Sequence, residues 1–373
     1  MIALFLAPMK PPDHPVPSGD RTIARHWIAA LEGLGWEVRL ASRLRTVAKA
    51  GGEAAFEALF RQGAAETARI LADPALIAGA RLVFCYHNYY RAPDCIGPEL
   101  ARALGVPYVV AEPSLAGKRL TGPHRAGEIR ARAGVAAARL IVAASAADRP
   151  LLESVRQPGQ QIVTIPAGLD PRAWPMAEAA AARGAAGEGP LRLITVAMMR
   201  EGAKLASYTL LAEAMQAIAT EDFILDIHGD GPARATVAAL FARFGDRVRL
   251  HGESGRETLG EAFRTADLCV WPGLQEAYGM AYLEAQLHGV PCLAGRIGGV
   301  PEALAPASVL VDAVTPEAYG AALRALSRDR AGLAERRALV RRFILAERSL
   351  ASMAARFAEA ARSAGIAPAG EGG

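Results

Sequence analysis

Lysine and asparagine are nearly missing from this chain of 373 residues. Four lysines, Lys10, Lys49, Lys118 and Lys204, stand against 38 arginines, and Asn88 is the sole asparagine. Arginine is therefore the default cation, a skew that fits coding bias, and each lysine draws attention. Cysteine is scarce as well. Cys85, Cys95, Cys269 and Cys292 lie far apart, no C-x-x-C occurs, and no zinc-site spacing is present. They read as reduced, buried thiols of a cytoplasmic protein. Long apolar runs are lacking: MIALFLAPMKPP offers about seven apolar residues before prolines break it, too few for a signal peptide or a membrane span. That segment reads instead as a buried first strand. No D-x-D-type metal motif is found. The G-x-G-x-x-G that a dinucleotide requires after the first strand is missing too, and Pro8, Pro11, Pro12 and Pro15 occupy its place. This argues against a nicotinamide-dependent oxidoreductase.

What remains is ordinary for a folded protein. Apolar residues make up 52% and charged residues 21%, which excludes wholesale disorder. A net charge of +4 permits an anionic ligand or a weak membrane contact and demands no nucleic acid. At about 150 residues per domain the length suggests two domains.

Apolar runs alternate with helical spacing along most of the chain. Ile2–Ala7 reads as a buried strand, Trp36–Leu40 as a second strand, and Leu82–Cys85, Tyr108–Ala111, Leu140–Ala143 and Gln161–Ile165 as further short apolar or β-branched strands of the first half. Leu191–Val196, Phe223–His228, Val248–His251, Leu268–Trp271, Pro291–Ala294 and Ser308–Val311 read as strands of the second. Alternation with helices predicts an α/β fold of two Rossmann-like, doubly wound parallel-sheet domains. The boundaries expected are a first domain over 1–175, an Ala/Gly-rich linker over 176–190 and a second domain over 191–345. A terminal helix over 346–366 would pack back on the first domain, and 367–373 would form a disordered tail.

Ligands of such sheets bind at the carboxyl ends of strands, beside helix N-termini. The segment ADLCVWPGLQEAYGMAYLEAQLHGVPCLAGRIGGVPEAL places Glu276 in a loop after a strand and Glu284 inside the following helix. Two carboxylates eight residues apart suit sugar and ribose hydroxyls. The backbone N–H groups near Gly279 and Met280 open that helix and favour phosphate. After strand Leu191–Val196, Arg200 and Lys204 offer two cations for a diphosphate.

These residues resemble the signature of retaining glycosyltransferases of family 4, whose fold is GT-B, two Rossmann-like domains facing across a cleft. The pattern ADxxVxPSxxEGFGxxxLEAMAxGxPVVA followed by GGxPE is similar, with Gly273, Ala277 and Tyr278 as departures. The resemblance implies that Glu276 approaches the donor sugar and Glu284 holds the ribose. It also implies that Arg200 and Lys204 grip the departing diphosphate without metal or cofactor, although their spacing is four rather than five. The donor would be a nucleotide-diphosphate sugar. Gly279, Met280 and Tyr278 would line its site, with Gly252 and Glu253 near the base. Gly229 and Gly231 read as a tight turn.

In the first half, Pro17-Ser18-Gly19-Asp20-Arg21 resembles the family's glycine-rich loop, and Ser18 or Asp20 equally suits a helix cap. His87 with Asn88, Tyr89 and Tyr90 suits either an acceptor wall or packing. Glu112 or Ser114 stands near where many members carry a histidine, and Ala167 replaces an asparagine. Gly19, His87 and Glu112 are thus the acceptor or cleft candidates. A glycan, a lipid-linked glycan or a small molecule all remain open as acceptor. The basic stretch Lys118, Arg119, Arg125, Arg130, Arg132 and Arg139 would either rest on the inner face of a membrane or be a solvated face. The remaining alternative is a non-catalytic member that binds a glycan or a partner transferase.

Overall fold

The computed structural model describes residues 1–16, 18–174 and 189–366. It divides into two compact units. The first runs from Met1 to Gly168 and is rejoined by the chain at Leu350; the second is Leu169–Ser349.

The first unit holds six strands: β1 (Ile2–Leu6), β2 (Glu37–Leu40), β3 (Ala80–Tyr86), β4 (Tyr108–Ala111), β5 (Leu140–Ala143) and β6 (Gln161–Thr164). Every pairing is parallel, in the order β2-β1-β3-β4-β5-β6. Strands buried on both faces need continuous apolar runs, and β1, β4 and β5 are buried at every residue. One face is closed by an aromatic cluster. Trp27, from the helix Gly19–Gly33, packs on Phe84 at 5.2 Å, and Phe357 meets both rings at 5.8 and 5.7 Å. Phe357 belongs to the helix Leu350–Ser363, so the end of the described chain completes the core of the first unit.

The second unit repeats the plan with β7 (Leu191–Val196), β8 (Phe223–His228), β9 (Val248–Gly252), β10 (Leu268–Trp271), β11 (Cys292–Gly295) and β12 (Val309–Val311). Its order is β12-β11-β10-β7-β8-β9, all parallel. Counted from its own first strand, that is the 3-2-1-4-5-6 type of order found in nucleotide-binding sheets, with one reversal beside the first strand.

The chain passes between units earlier than the sequence suggests. Residues 169–174 were expected in the first domain but pack with the second. The Leu169 N–H donates to the Arg348 carbonyl, and the Trp174 indole sits edge-on to His288 at 5.2 Å. The return is also shifted: 346–349 stay with the second unit, and the last helix starts at Leu350. The expected linker falls almost wholly on 175–188, which lie outside the described residues, as does the expected tail 367–373.

Candidate functional site

In each sheet the strand order reverses once, and crevices for ligands open at that point beyond the carboxyl ends. In the second unit the reversal lies between β7 and β10. The residues after these two strands meet there. Lys204, near the start of the helix Ala203–Ala214, reaches Glu276 in the loop after β10, with Nζ 2.5 Å from Oε2. The Trp271 indole donates to the same oxygen at 3.4 Å and lies under the ammonium, 5.4 Å from ring centroid to Nζ. Both charges are mostly buried, at 27% and 18% side-chain exposure. Arg200 is exposed and forms no ion pair among the described residues.

The loop carrying Glu276 is bent around one tyrosine. The Tyr282 hydroxyl donates to the Trp271 carbonyl at 2.9 Å, and its ring fills the space beneath Gly273 and Gly279. Gly279 has φ +87° and caps the helix Met280–Leu287; a Cβ there would stand 2.5 Å from the Tyr282 ring. Gly298 supports the loop from the other side, where a Cβ would stand 2.6 Å from the Glu276 carbonyl oxygen. The next residue, Gly299, donates its N–H to Ala277 at 2.8 Å. Ser207 accepts from the Leu274 N–H at 2.9 Å. Gln275, beside Glu276, has φ +57°, a left-handed conformation that a side chain resists.

Glu284 lies in the second turn of the same helix. It keeps some surface, yet desolvation dominates and pushes its carboxyl up to about 7, partly opposed by Arg256. Tyr278 is buried, and Met280 opens the helix half-buried. Gly252 ends β9 with φ +77°, and Glu253 is exposed beside it. Gly229 and Gly231 serve packing: a Cβ on the first would strike the Ala197 backbone, and one on the second the Met199 backbone. His228 stacks on His251 at 4.5 Å. Burial first, then the charge of His251, lowers the His228 imidazole to about 4.

The first unit gathers its candidates at the equivalent place, past β1, β3 and β4. Ser18 caps the helix Gly19–Gly33 by accepting from the Arg21 N–H. Gly19 faces open space, where a Cβ would have nothing within 4 Å. Asp20 accepts from His87 Nδ1 at 3.1 Å. Burial alone would raise the Asp20 carboxyl; the hydrogen bond and charge of His87 outweigh it and hold the carboxyl below its usual value. Glu112 accepts from the Trp27 indole at 3.3 Å, and desolvation pushes its carboxyl up to about 7. His87 and Glu112 have φ +62° and +53°. Among the described residues, only these two and Gln275 are non-glycine residues with positive φ. All three fall beyond the carboxyl end of a strand, next to or at a residue the sequence singles out.

Sequence reasoning missed the supports Trp271, Tyr282 and Ser207 in one unit and Trp27 in the other, and offered Asp20 as a helix cap where it instead holds His87 while Ser18 caps. Asp20 and Trp27 act on partners 67 and 85 residues away, which no local pattern reveals. The basic stretch is partly committed within the molecule: Arg130 pairs with Glu99, Arg132 with the buried Glu128, and Arg139 with the Ala364 carbonyl. Among the described residues, no helix is long and apolar enough to cross a membrane. None of their His, Cys, Asp and Glu side chains form a group of three or more that could hold a metal ion.

Comparison with known proteins places this arrangement. Residues 190–329 match the family model described as Glycosyl transferases group 1. A D-inositol 3-phosphate glycosyltransferase of Streptomyces griseus is 41% identical over 88 residues, covering 22% of this chain and 19% of that protein. The corresponding protein of Segniliparus rotundus is 30% identical over 176 residues, covering 45% and 39%. The chain thus aligns with 39% or less of the length of these relatives. Among solved structures, a UDP-forming alpha,alpha-trehalose-phosphate synthase of Burkholderia vietnamiensis superposes with a TM-score of 0.71 at 15% identity, covering 98% of this chain and 100% of that one. Anabaena HepE in complex with UDP-glucose gives 0.65 at 14% identity, covering 97% and 100%. Residues 190–329 thus match a group 1 glycosyltransferase domain, in a chain whose two parallel-sheet units share the fold of the solved structures it superposes on.

Proposed function

We propose that this chain is a retaining glycosyltransferase that moves a sugar from a nucleoside-diphosphate sugar to an acceptor. One observation carries the reading: Lys204 and Glu276 converge at the strand-order reversal of the second sheet, with Arg200 four residues before Lys204 and Glu284 in the helix that follows. Cations at this point serve a diphosphate and carboxylates serve hydroxyls, so the two segments after β7 and β10 together provide for the diphosphate, the sugar and the ribose of the donor.

In this reading Arg200 and Lys204 take the charge that develops on the leaving diphosphate, the work a metal ion does elsewhere. Glu276 accepts hydrogen bonds from the donor sugar and Glu284 from the ribose. The N–H groups at Gly279 and Met280 face phosphate oxygen at the helix N-terminus. The acceptor oxygen attacks on the face from which the diphosphate departs, and a leaving phosphate oxygen takes its proton. No side chain has to form a covalent intermediate. UDP is the favoured nucleotide, supported by the UDP-glucose complex of the similar HepE fold. The first unit carries the acceptor candidates Gly19, His87 and Glu112.

Transfer and hydrolysis assayed with a panel of UDP- and GDP-sugars test the proposal. Release of a nucleoside diphosphate from at least one donor is expected. No turnover and no binding across the panel would contradict it.

A further inference from the structure

Two arginines of the first unit converge on one tyrosine in the turn after β3. The guanidinium carbons of Arg91 and Arg119 each lie 5.5 Å from the Tyr90 ring centroid. The Nε of both is buried without a hydrogen-bond acceptor. Neither pairs with a carboxylate among the described residues, whereas neighbouring cations do: Arg130 grips both oxygens of Glu99, and Arg132 holds Glu128. Carboxylates nearby in the chain are engaged elsewhere. Asp94 accepts from the Tyr108 hydroxyl and from the N–H groups of Ile96 and Gly97, and Asp20 serves His87. His124, 5% exposed and with Nδ1 unpartnered, packs edge-on to the same ring at 5.3 Å.

The neighbours register this uncompensated charge. Burial, then the charges of Arg91 and Arg119, lower the His124 imidazole. The Tyr90 phenol is lowered although burial opposes it, through the hydrogen bond from Tyr89, the two guanidinium charges and a hydrogen bond from Arg119, which leaves both arginine charges without an anionic partner among the described residues. Two half-buried guanidiniums without counter-ions form a doubly positive site. Their planar forks match phosphate oxygens, and a dianion neutralises both where a carboxylate neutralises one.

We propose that Arg91 and Arg119, held about Tyr90, form a subsite for a phosphomonoester, and that the acceptor carries this group. Only the word acceptor rests on the glycosyltransferase reading; the anion subsite stands on the geometry of the first unit.

The test is calorimetric titration of inorganic phosphate into the full chain saturated with UDP, so that Arg200 and Lys204 are already occupied. The expected result is a phosphate site that the pair Arg91→Gln and Arg119→Gln weakens about tenfold or more, with UDP affinity unchanged. The pair Arg91→Lys and Arg119→Lys keeps the charge and gives intermediate affinity; it replaces the glutamine pair if that variant does not fold. Phosphate should also raise the pH at which Tyr90 ionises, read by tyrosinate absorbance in a Tyr89→Phe background. A purely structural role for the arginines would leave that value unmoved. Glycerol 3-phosphate and vesicles containing phosphatidic acid separate a soluble from a lipid-borne phosphomonoester. Binding of either that requires both arginines supports the subsite, and the tighter one names the source. Phosphate that fails to bind, or binds the glutamine pair as well as the parent, overturns it. Failure of UDP to bind would instead count against the donor reading, while arginine-dependent phosphate binding would still establish the subsite.

Discussion

On the proposed donor reading, Glu276 competes with the diphosphate for the Lys204 cation. With Nζ 2.5 Å from Oε2, the Lys204 charge is neutralised within the protein, and diphosphate must take the place of a carboxylate. Glu276→Gln removes the competitor. UDP affinity, measured by calorimetry, should rise severalfold, while transfer should fall by about 10²–10³ because the sugar loses its carboxylate partner. Weaker UDP binding in this variant would mean that Glu276 supports the diphosphate instead. Glu284 leads to a pH effect. Its carboxyl is raised to about 7 by burial, so much of it is protonated at neutral pH, whereas the proposed role of accepting from ribose hydroxyls needs the ionised form. Donor-sugar affinity should therefore climb about tenfold from pH 6 to pH 8 and stay flat in Glu284→Gln. For stability the sign is opposite. Raised carboxyls at Glu284 and Glu112 favour the folded state fully below 4.5, and that contribution is lost as pH rises through about 7. At this scale the sequence exposes Glu276, Glu284 and Lys204, because a carboxylate pair around a helix start and a rare lysine after a strand are local facts. It does not expose that Lys204 and Glu276 touch, or that Arg200 stands apart, because both depend on where two strands far apart in the chain come to lie.

The elements themselves are largely legible. Each of the twelve strands lies within two residues of a run read from the sequence; inner strands such as β4 and β5 are apolar throughout because both faces are covered, whereas the edge strands β2 (EVRL) and β9 (VRLHG) keep exposed residues. Helices are less so. The 19-residue helix Glu53–Leu71 is Ala-rich, buries only Phe56, Gly63, Thr67 and Ile70, and offers little periodic signal. The loop after β10 shows what local sequence conceals: its shape is set by Tyr282 beneath it, and its glycines are required by that ring. Gly279→Ala must clear a 2.5 Å approach at φ +87°. It should cost about 1–3 kcal/mol in thermal unfolding and abolish transfer, whereas unchanged activity would free the loop from its assigned shape. The last helix is tied in the same concrete way. Phe357→Ala opens a cavity against Trp27 and Phe84 and should destabilise the first unit by about 3–5 kcal/mol, read from the Trp27 fluorescence transition.

Across the molecule, two sheets of the same kind each reverse their strand order once, and the strained residues cluster beyond their carboxyl ends. His87, Glu112 and Gln275 hold conformations that side chains resist, in two separate units, and each adjoins or is a candidate site residue. Strain of this kind persists only where surrounding structure enforces it, and it gathers at sites of function. The two-unit plan was readable from rhythm alone. The early passage at Gly168 was not, because it depends on Trp174 meeting His288; the terminal helix was expected to rejoin the first unit, and only its start at Leu350 rather than 346 differs. The central claim is that the reversal point of the second sheet binds a nucleoside diphosphate through Arg200 and Lys204. The most direct test is UDP and GDP titrated into the parent chain and into the pair Arg200→Ala and Lys204→Ala. The account predicts that one nucleotide binds the parent and loses about 10²-fold or more affinity in the variant, with thermal unfolding otherwise preserved. Binding of neither nucleotide to the parent, or equal binding to both proteins, would contradict it.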